Sequence, residues 1–547
     1  MAELLIDLDP ALETAFARYD VVTQGILESL PWEEQTAPPD NPRRVFVAKV
    51  YSAHTFWASL WRPRKVFWQA QGFSVAKPDA DWRVRFCFVD PTRQAEALRE
   101  SATVQSSLAG EIPAPDGLDY FEYQKAGVQF LDTHRNTLLA DDPGLGKTIQ
   151  VCGLLNLRSQ IRSVLVVCPA SVKYVWAREL DRWLTDKTRT VSIAGRALDP
   201  SAEILVCNYD LLRKFDALLK RRRYDLLVLD EAHFIKTSKA LRTKACKLLG
   251  ALATRKVLLT GTPIMNRPAE LWSLLNFLNA QAWGSFFPFA QRYCDAFNGP
   301  FGWDFSGASN LPELNERLRT TGNMLRRRKA DVLPQLPRVI RQIVPLPVDM
   351  TPILEELTES LAESMGFDPD NPPFEIDPTR IPFELIAAIR RETGIVKIGA
   401  ALAFIADETE GVDKVVIYAH HHDVLKALHE ALTPSVLVTG QTPARTRVRA
   451  VASFQESEGL KYFIASIQAM GVGITLTAAS RVIFVEQSWT PSEMEQAECR
   501  LHRIGQVNSV LSQYLVVRES IDEKILSAVV CKMRVIEAVL GEAEILE

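Results

Sequence analysis

The sequence predicts an α/β protein with two doubly wound parallel-sheet domains, a helical insertion in the first, and a small α+β domain ahead of both. Three observations carry this reading. The chain has 547 residues, too many for one hydrophobic core. Between Tyr120 and about Thr262, short apolar runs end in polar residues: NTLLA, SVLVVCP, EILVCNY, DLLVLDEAH and KVLLTGT. Helical stretches separate them, and the same rhythm returns later as KVVIYAH, SVLVTG, KYFIAS and RVIFVEQ, up to about Val517. Nearly continuous apolar runs read as strands buried on both faces, and helices between them make the sheet parallel. In such a sheet a ligand binds beyond the carboxyl ends of the strands, so the polar residues closing these runs are the site candidates.

The chain divides at its composition shifts. Residues 1–117 form an accessory domain: an acidic, helical start, a proline-rich joint EEQTAPPDNP, then a basic aromatic module in which RVFVAKVYS and RVRFCFVD alternate as strands do. A second joint, GEIPAPDGLD, leads into the first α/β lobe, 118–335, which loses its strand rhythm near Pro263 and carries the helical insertion. Residues 336–382, with the proline-broken DPDNPPFEIDPTRIPF, read as linker and insertion; 383–517 are the second lobe and 518–547 a helical tail.

Hydrophobic content of 47% and 24% charged residues describe an ordinary globular chain, with no apolar run long enough to span a bilayer. The acidic N-terminus lacks the basic region of a signal peptide, so secretion is not indicated. The eight cysteines are scattered without a C-x-x-C, which fits reduced, mostly buried thiols and no structural zinc. The net charge of −4 hides an uneven distribution: Arg43, Arg44, Lys49, Arg62, Arg64, Lys65, Lys77, Arg83 and Arg85 face only Asp79 and Asp81 between 43 and 89. Trp57, Trp61 and Trp68 among these cations are core residues or stacking platforms for bases, and an accessory DNA-binding role is the expectation.

TLLADDPGLGKTIQ has the form of a phosphate cradle at a strand end opening a helix. Gly144 and Gly146 allow close backbone approach, Leu145 lies between them, Lys147 reaches the β and γ phosphates, and Thr148 holds Mg2+. An ordinary P-loop would have glycine where this chain has Asp141. The strand YDLLVLDEAH supplies the complement: Asp230 for Mg2+ and Glu231 for the attacking water.

With these motifs in place, the chain from Tyr120 to about Val517 resembles the Snf2 family of superfamily 2 helicase-like ATPases. The match runs in order through YFEYQKAGVQFL, the phosphate loop, VVCPASVKYVWAREL, CNYDLL, DEAHFIKTSKALRTKA, LLTGTPIMNRPAELWSLLNFL, MLRRRKADVLPQLP, VTGQTPARTRVRAVASFQ and SIQAMGVGITLTAASRVIFVEQSWTPSEMEQAECRLHRIGQ. In that family the loop begins with an acidic residue, so Asp141 fits, whereas Asp142 and Pro143 depart from the usual Glu-Met. TGIVKIGAALAFI, KVVIYAHHHDVLKAL and HRIGQ are similar to the distant branch that includes the annealing helicases. Cys499 replaces the acidic residue of the usual Gln-Ala-Glu-Asp-Arg.

The resemblance implies two RecA-like lobes closing around ATP and Mg2+. It assigns adenine recognition to Gln124 and further ATP contact to Gly473. Arg500 and Arg503 become arginine fingers, expected at i and i+3 on one helix face. Thr260, Gly261 and Thr262, with His233 against them and Gln496, would couple nucleotide state to DNA grip. Pro169, Ser171, Asn208, Tyr209, Gly471, Thr475 and Trp489 would contact DNA, chiefly its phosphates. His420, His421 and His422 lack the partners of a metal site, and relatives carry histidines there without metal.

The function expected is ATP-dependent translocation on double-stranded or forked DNA, remodelling branched or protein-bound DNA, strand annealing included. A strand-separating helicase is the alternative, disfavoured because no strand-splitting hairpin stands out; a non-catalytic DNA-binding scaffold is the third reading. The expected location is cytoplasmic, in a prokaryotic or viral host cell, or nuclear. Protein partners are not identifiable from the sequence.

Overall fold

The structure is a computed structural model that describes residues 32–35, 43–49, 73–75, 83–89, 97–107, 111–299, 302–321, 323–350, 383–470, 474–518 and 520–540. The acidic helical start, Trp57, Trp61 and Trp68 with their neighbouring cations, Gly471 and Gly473 lie outside the described residues.

The N-terminal region contains an antiparallel sheet of β1 (Trp32–Gln35), β2 (Arg43–Lys49), β3 (Phe73–Val75) and β4 (Arg83–Val89), in the order β1-β2-β4-β3. The two strands expected from alternation are its central pair, in register from Arg43↔Val89 to Lys49↔Arg83.

The first lobe is a parallel sheet of seven strands: β5 (Asn136–Leu139), β6 (Val164–Cys168), β7 (Val191–Ile193), β8 (Ile204–Asn208), β9 (Tyr224–Asp230), β10 (Ala253–Leu259) and, beyond a hairpin of β11 (Phe297–Gly299) and β12 (Gly302–Asp304), β13 (Met324–Leu325). Its order is β13-β5-β10-β9-β6-β8-β7. Every residue of β6 and β8 is buried, as a central strand covered by helices on both faces requires. This order places the ends of β5, β10 and β9 side by side. The phosphate loop, Thr260–Thr262 and Asp230-Glu231, far apart in sequence, therefore open onto one edge.

The second lobe is a parallel sheet of β14 (Val339–Leu346), β15 (Val415–Ala419), β16 (Ser435–Val438), β17 (Tyr462–Ser466), β18 (Arg481–Phe484) and β19 (Val510–Val517), ordered β14-β19-β18-β15-β17-β16. Here the expected linker 336–382 needs correction, because Val339–Leu346 is an edge strand paired along its whole length with β19. Its one-sided exposure, with Ile340 and Ile343 more than half exposed, and its closing proline hid it from a pattern tuned to fully buried strands.

The helix Ile521–Leu540 crosses between lobes. Asp522 near its start pairs with buried Lys397 at 2.7 Å, while Val539 near its end lies in the first lobe's core and accepts a hydrogen bond from Asn315 at 2.7 Å. No described helix is long and apolar enough to cross a membrane.

Candidate active site

The phosphate loop leaves β5 and enters the helix Lys147–Leu157. Gly144 and Gly146 have φ of +97° and +75°, left-handed values that favour glycine. A Cβ on Gly146 would also stand 2.5 Å from the Gln124 amide nitrogen. Gln124 is buried and braces this turn: its Nε2 donates to the Leu145 carbonyl at 3.3 Å and its Oε1 accepts from the Phe121 amide at 3.1 Å.

Asp141 does not face the loop's mouth. It is fully buried and receives Arg327 through Nε to Oδ1 at 2.9 Å and Nη2 to Oδ2 at 2.5 Å, with Gln150 Nε2 donating to Oδ2 at 3.0 Å. Asp142 continues the same seam, taking Arg326 at 3.3 Å and the Lys329 amide at 2.9 Å, while its own amide donates to the Arg327 carbonyl at 3.1 Å. Pro143 packs on Gly261, where an added Cβ would meet the proline ring at 2.6 Å. The two departures at 142 and 143 thus seat the loop against the arginine-rich segment on one side and the end of β10 on the other.

Lys147 donates its ammonium to the carbonyls of Asp141 at 2.6 Å and Asp142 at 3.2 Å. Burial pushes its pKa below the usual lysine value, against the pull of Glu231, Asp141, Asp142 and Asp230.

Asp230 ends β9 and is fixed from the helix Lys173–Trp183 and from the short helix that follows β8, Tyr209–Leu211. The Trp176 indole donates to its Oδ2 at 2.8 Å, and the Tyr209 hydroxyl to its carbonyl at 2.9 Å. Burial and the adjoining Glu231 raise its pKa. Glu231 has φ +50°, a left-handed conformation that costs a non-glycine residue on the order of 1–3 kcal/mol and clusters at functional sites. Burial would raise its pKa, but His233, Lys147 and Arg500 hold it below the usual value. Its buried Oε2 lies 3.3 Å from His233 Nδ1, without the alignment of a hydrogen bond. Thr148, Asp230 and an unbonded buried Glu231 oxygen are hard oxygen donors beside a phosphate loop. That chemistry fits Mg2+, which binds through one or two carboxylates plus substrate phosphates.

Lobe two meets this edge through the turn after the helix Pro491–Glu498. Arg500 and Arg503 lie in that turn, not on a helix face, which corrects the i, i+3 expectation. The helix stops at Glu498, whose buried carboxylate is held by Arg341 at 2.7 Å and Tyr514 at 2.6 Å, and the chain folds back so that the Arg500 carbonyl accepts from the Leu476 amide. The turn still presents both arginines: Arg500 bears on Glu231, and Arg503 Nε would lie 3.6 Å from a Cβ on Gly144. Burial and Arg500 push Arg503 down to about 10. Arg503 also donates to the Ile474 carbonyl and Thr475 hydroxyl at 2.9 Å each.

Of the coupling residues, Gln496 Nε2 donates across the lobes to Thr262 Oγ1 at 3.2 Å, and Thr262 N to Thr260 Oγ1 at 3.1 Å. His233 Nδ1 lies 3.3 Å from Glu231 Oε2, and its ring packs on that of Phe234. Of the expected DNA contacts, Ser171 is exposed, but Asn208 and Tyr209 are buried, and Tyr209 is engaged with Asp230, so its side chain is withdrawn from a DNA surface. Pro169 is buried, Thr475 serves Arg503, and Trp489 offers its carbonyl to Lys532 at 2.7 Å. His421 of the histidine run bonds Glu486 at 2.6 Å.

Sequence reasoning missed Trp176, Arg326, Arg327 and Lys329. The last three stood in plain view in MLRRRKADVLPQLP, but a run of cations does not say which acids it meets.

Comparison with known proteins gives the family. The SNF2-related domain matches residues 123–352 and the Helicase conserved C-terminal domain residues 396–505. The SWI/SNF-related matrix-associated actin-dependent regulator of chromatin subfamily A-like protein 1 of Xenopus tropicalis is 35% identical over 476 residues, 84% of this chain and 49% of that protein. The DNA annealing helicase and endonuclease ZRANB3 of Mus musculus is 33% identical over 455 residues, 79% and 41% of the two chains. The chain spans about half the length of these curated relatives. Among solved structures, the Sulfolobus solfataricus SWI2/SNF2 ATPase core in complex with dsDNA covers 79% of this chain and 96% of its own at 22% identity, with a TM-score of 0.39, too low to bear on how the lobes are placed. On its ordered motifs, its two parallel sheets and these relatives together, the chain belongs to the Snf2 family of helicase-like ATPases.

Proposed function

We propose that this protein is a DNA-stimulated ATPase that translocates on double-stranded or forked DNA and remodels branched or protein-bound DNA, strand annealing included. The observation that carries the reading is the meeting of Lys147, Glu231, Arg500 and Arg503, from two lobes, at one strand edge. Lys147 would leave the loop carbonyls for the β and γ phosphates; Glu231 would orient the attacking water; Arg500 and Arg503 would offset charge developing on the transferred phosphoryl group. Mg2+, held by Thr148 and Asp230, would neutralise phosphate charge when bound. Gln496 and Thr262 would pass the state of that site from one lobe to the other. The annealing activity named for the mouse relative supports the finer part of the reading.

ATPase rates with single-stranded, duplex and forked DNA test it: many-fold stimulation by duplex or fork is expected, and equal rates with and without DNA would refute it. Strand separation has one observation in its favour. The β11–β12 hairpin stands in the insertion with Phe297 57% and Trp303 45% exposed, a hairpin that the sequence pattern did not reveal. Unwinding of a tailed fork would favour that reading, and triplex displacement without unwinding the translocase.

A further inference from the structure

Lys329 is buried at 6% exposure in the segment that joins the lobes. Its amide donates to the Asp142 carboxylate at 2.9 Å, on the phosphate-loop side. Its ammonium donates across the cleft to Cys499 Sγ at 3.1 Å and to the His502 carbonyl at 2.8 Å, residues adjoining Arg500 and Arg503. Its Cε would lie 3.6 Å from a Cβ on Gly144, the same distance as Arg503 Nε. One residue thus touches the loop with its backbone and the arginine-bearing turn with its side chain.

We propose that Lys329 is a positioning residue for hydrolysis, fastening the Cys499–Arg503 turn over the phosphate loop through two neutral acceptors, the Cys499 thiol and the His502 carbonyl. Buried cations are ordinarily paired with carboxylates, whereas both acceptors of the Lys329 ammonium, a thiol and a carbonyl, carry no charge. A neutral thiol accepts weakly. The fastening therefore holds the arginines when the lobes close, yet releases them at small cost when the lobes part. An acidic residue at 499 would grip harder, ion to ion. The proposal rests on the ATP-hydrolysis reading.

Steady-state kinetics and nucleotide titration on the full chain test it. Lys329→Met is expected to lower kcat about tenfold while leaving the Kd for an ATP analogue within about twofold, the signature of an interaction that matters only at the transition state. Lys329→Arg should recover part of the rate. Cys499→Asp should raise the DNA-free rate, and that gain should vanish when Lys329→Met is added. Unchanged kcat in folded Lys329→Met, or equal losses of kcat and nucleotide affinity, would overturn the proposal. Peptide-resolved alkylation gives a readout without turnover: Cys499 should label faster in Lys329→Met than in the parent chain, and equal labelling would overturn it too. A parent chain without ATPase activity on any DNA would strike the functional reading alone, and the labelling would still decide whether Lys329 fastens the turn.

Discussion

Arg327 and Asp141 form a bidentate ion pair, both side chains wholly shielded from solvent. It ties the first residue of the phosphate loop to the segment that leaves lobe one. Removing one partner of a buried pair strands the other charge, at about 3–5 kcal/mol. Asp141→Asn or Arg327→Met should therefore lower the thermal midpoint of lobe one markedly and loosen nucleotide binding only through the loop's seat. Calorimetry of either variant checks this; a midpoint equal to that of the parent would contradict it. Asp141→Gly, which restores an ordinary P-loop pattern, should destabilise in the same way.

Glu231→Gln keeps size and backbone but removes the carboxylate proposed to orient the attacking water. Turnover should fall by about 10²–10⁴, the usual worth of a positioned acid or base, with ATP and DNA affinity retained. Lys147→Ala should instead weaken nucleotide binding itself, because the ammonium that leaves the Asp141 and Asp142 carbonyls for phosphate is gone. Stopped turnover with intact binding in the first variant and weakened binding in the second are separable by titration. The reverse pattern would exchange the two roles.

The Gln496–Thr262 hydrogen bond is a direct polar link between the coupling motif and lobe two, beside the longer bonds of the Ser492 hydroxyl to the Ile264 and Met265 carbonyls at 3.4 Å. A net hydrogen bond is worth about 1 kcal/mol, so Gln496→Ala and Thr262→Val should each reduce DNA stimulation several-fold with little change in the DNA-free rate. The double variant should be no worse than the more impaired single one. Additive losses would mean that the two residues act independently.

How much of this was legible in the sequence follows from the range of each interaction. Strands β6, β8, β9 and β15 were readable because burial on both faces leaves an unbroken apolar run, and the phosphate loop and Asp230-Glu231 because strand ends in such sheets carry the ligand groups. The exposed face of β14 made a real strand look like a linker. The partners of Asp141 were illegible for another reason: Arg327 lies 186 residues away, and either neighbouring arginine would have fitted the pattern equally well. The helix carrying the fingers was extended too far, since nothing local in ECRLHRIGQ shows that Glu498 is pulled inward by Arg341 and Tyr514. Tyr209 illustrates the converse error, a motif residue assigned to DNA whose hydroxyl is engaged inside the lobe.

Lobe two should lose stability in mild acid. Burial, Arg390 and His421 push His420 down to about 4 from its ordinary 6.5, with Glu486 opposing. Burial would raise Glu486, but the His421 ring and the amides of His420 and His421 hold it at about 2, against an ordinary 4.5. As pH falls below 6.5 the unfolded chain protonates His420 while the folded lobe does not, so stability declines down to about pH 4. Glu486 adds a second loss as pH falls from 4.5 towards 2, where the unfolded carboxylate protonates first. The expected result is a thermal midpoint that drops between pH 7 and pH 4.5, with His420→Gln, which cannot titrate, showing a flatter profile over that interval. Parallel profiles for the parent and the variant would show that His420 is not the group responsible.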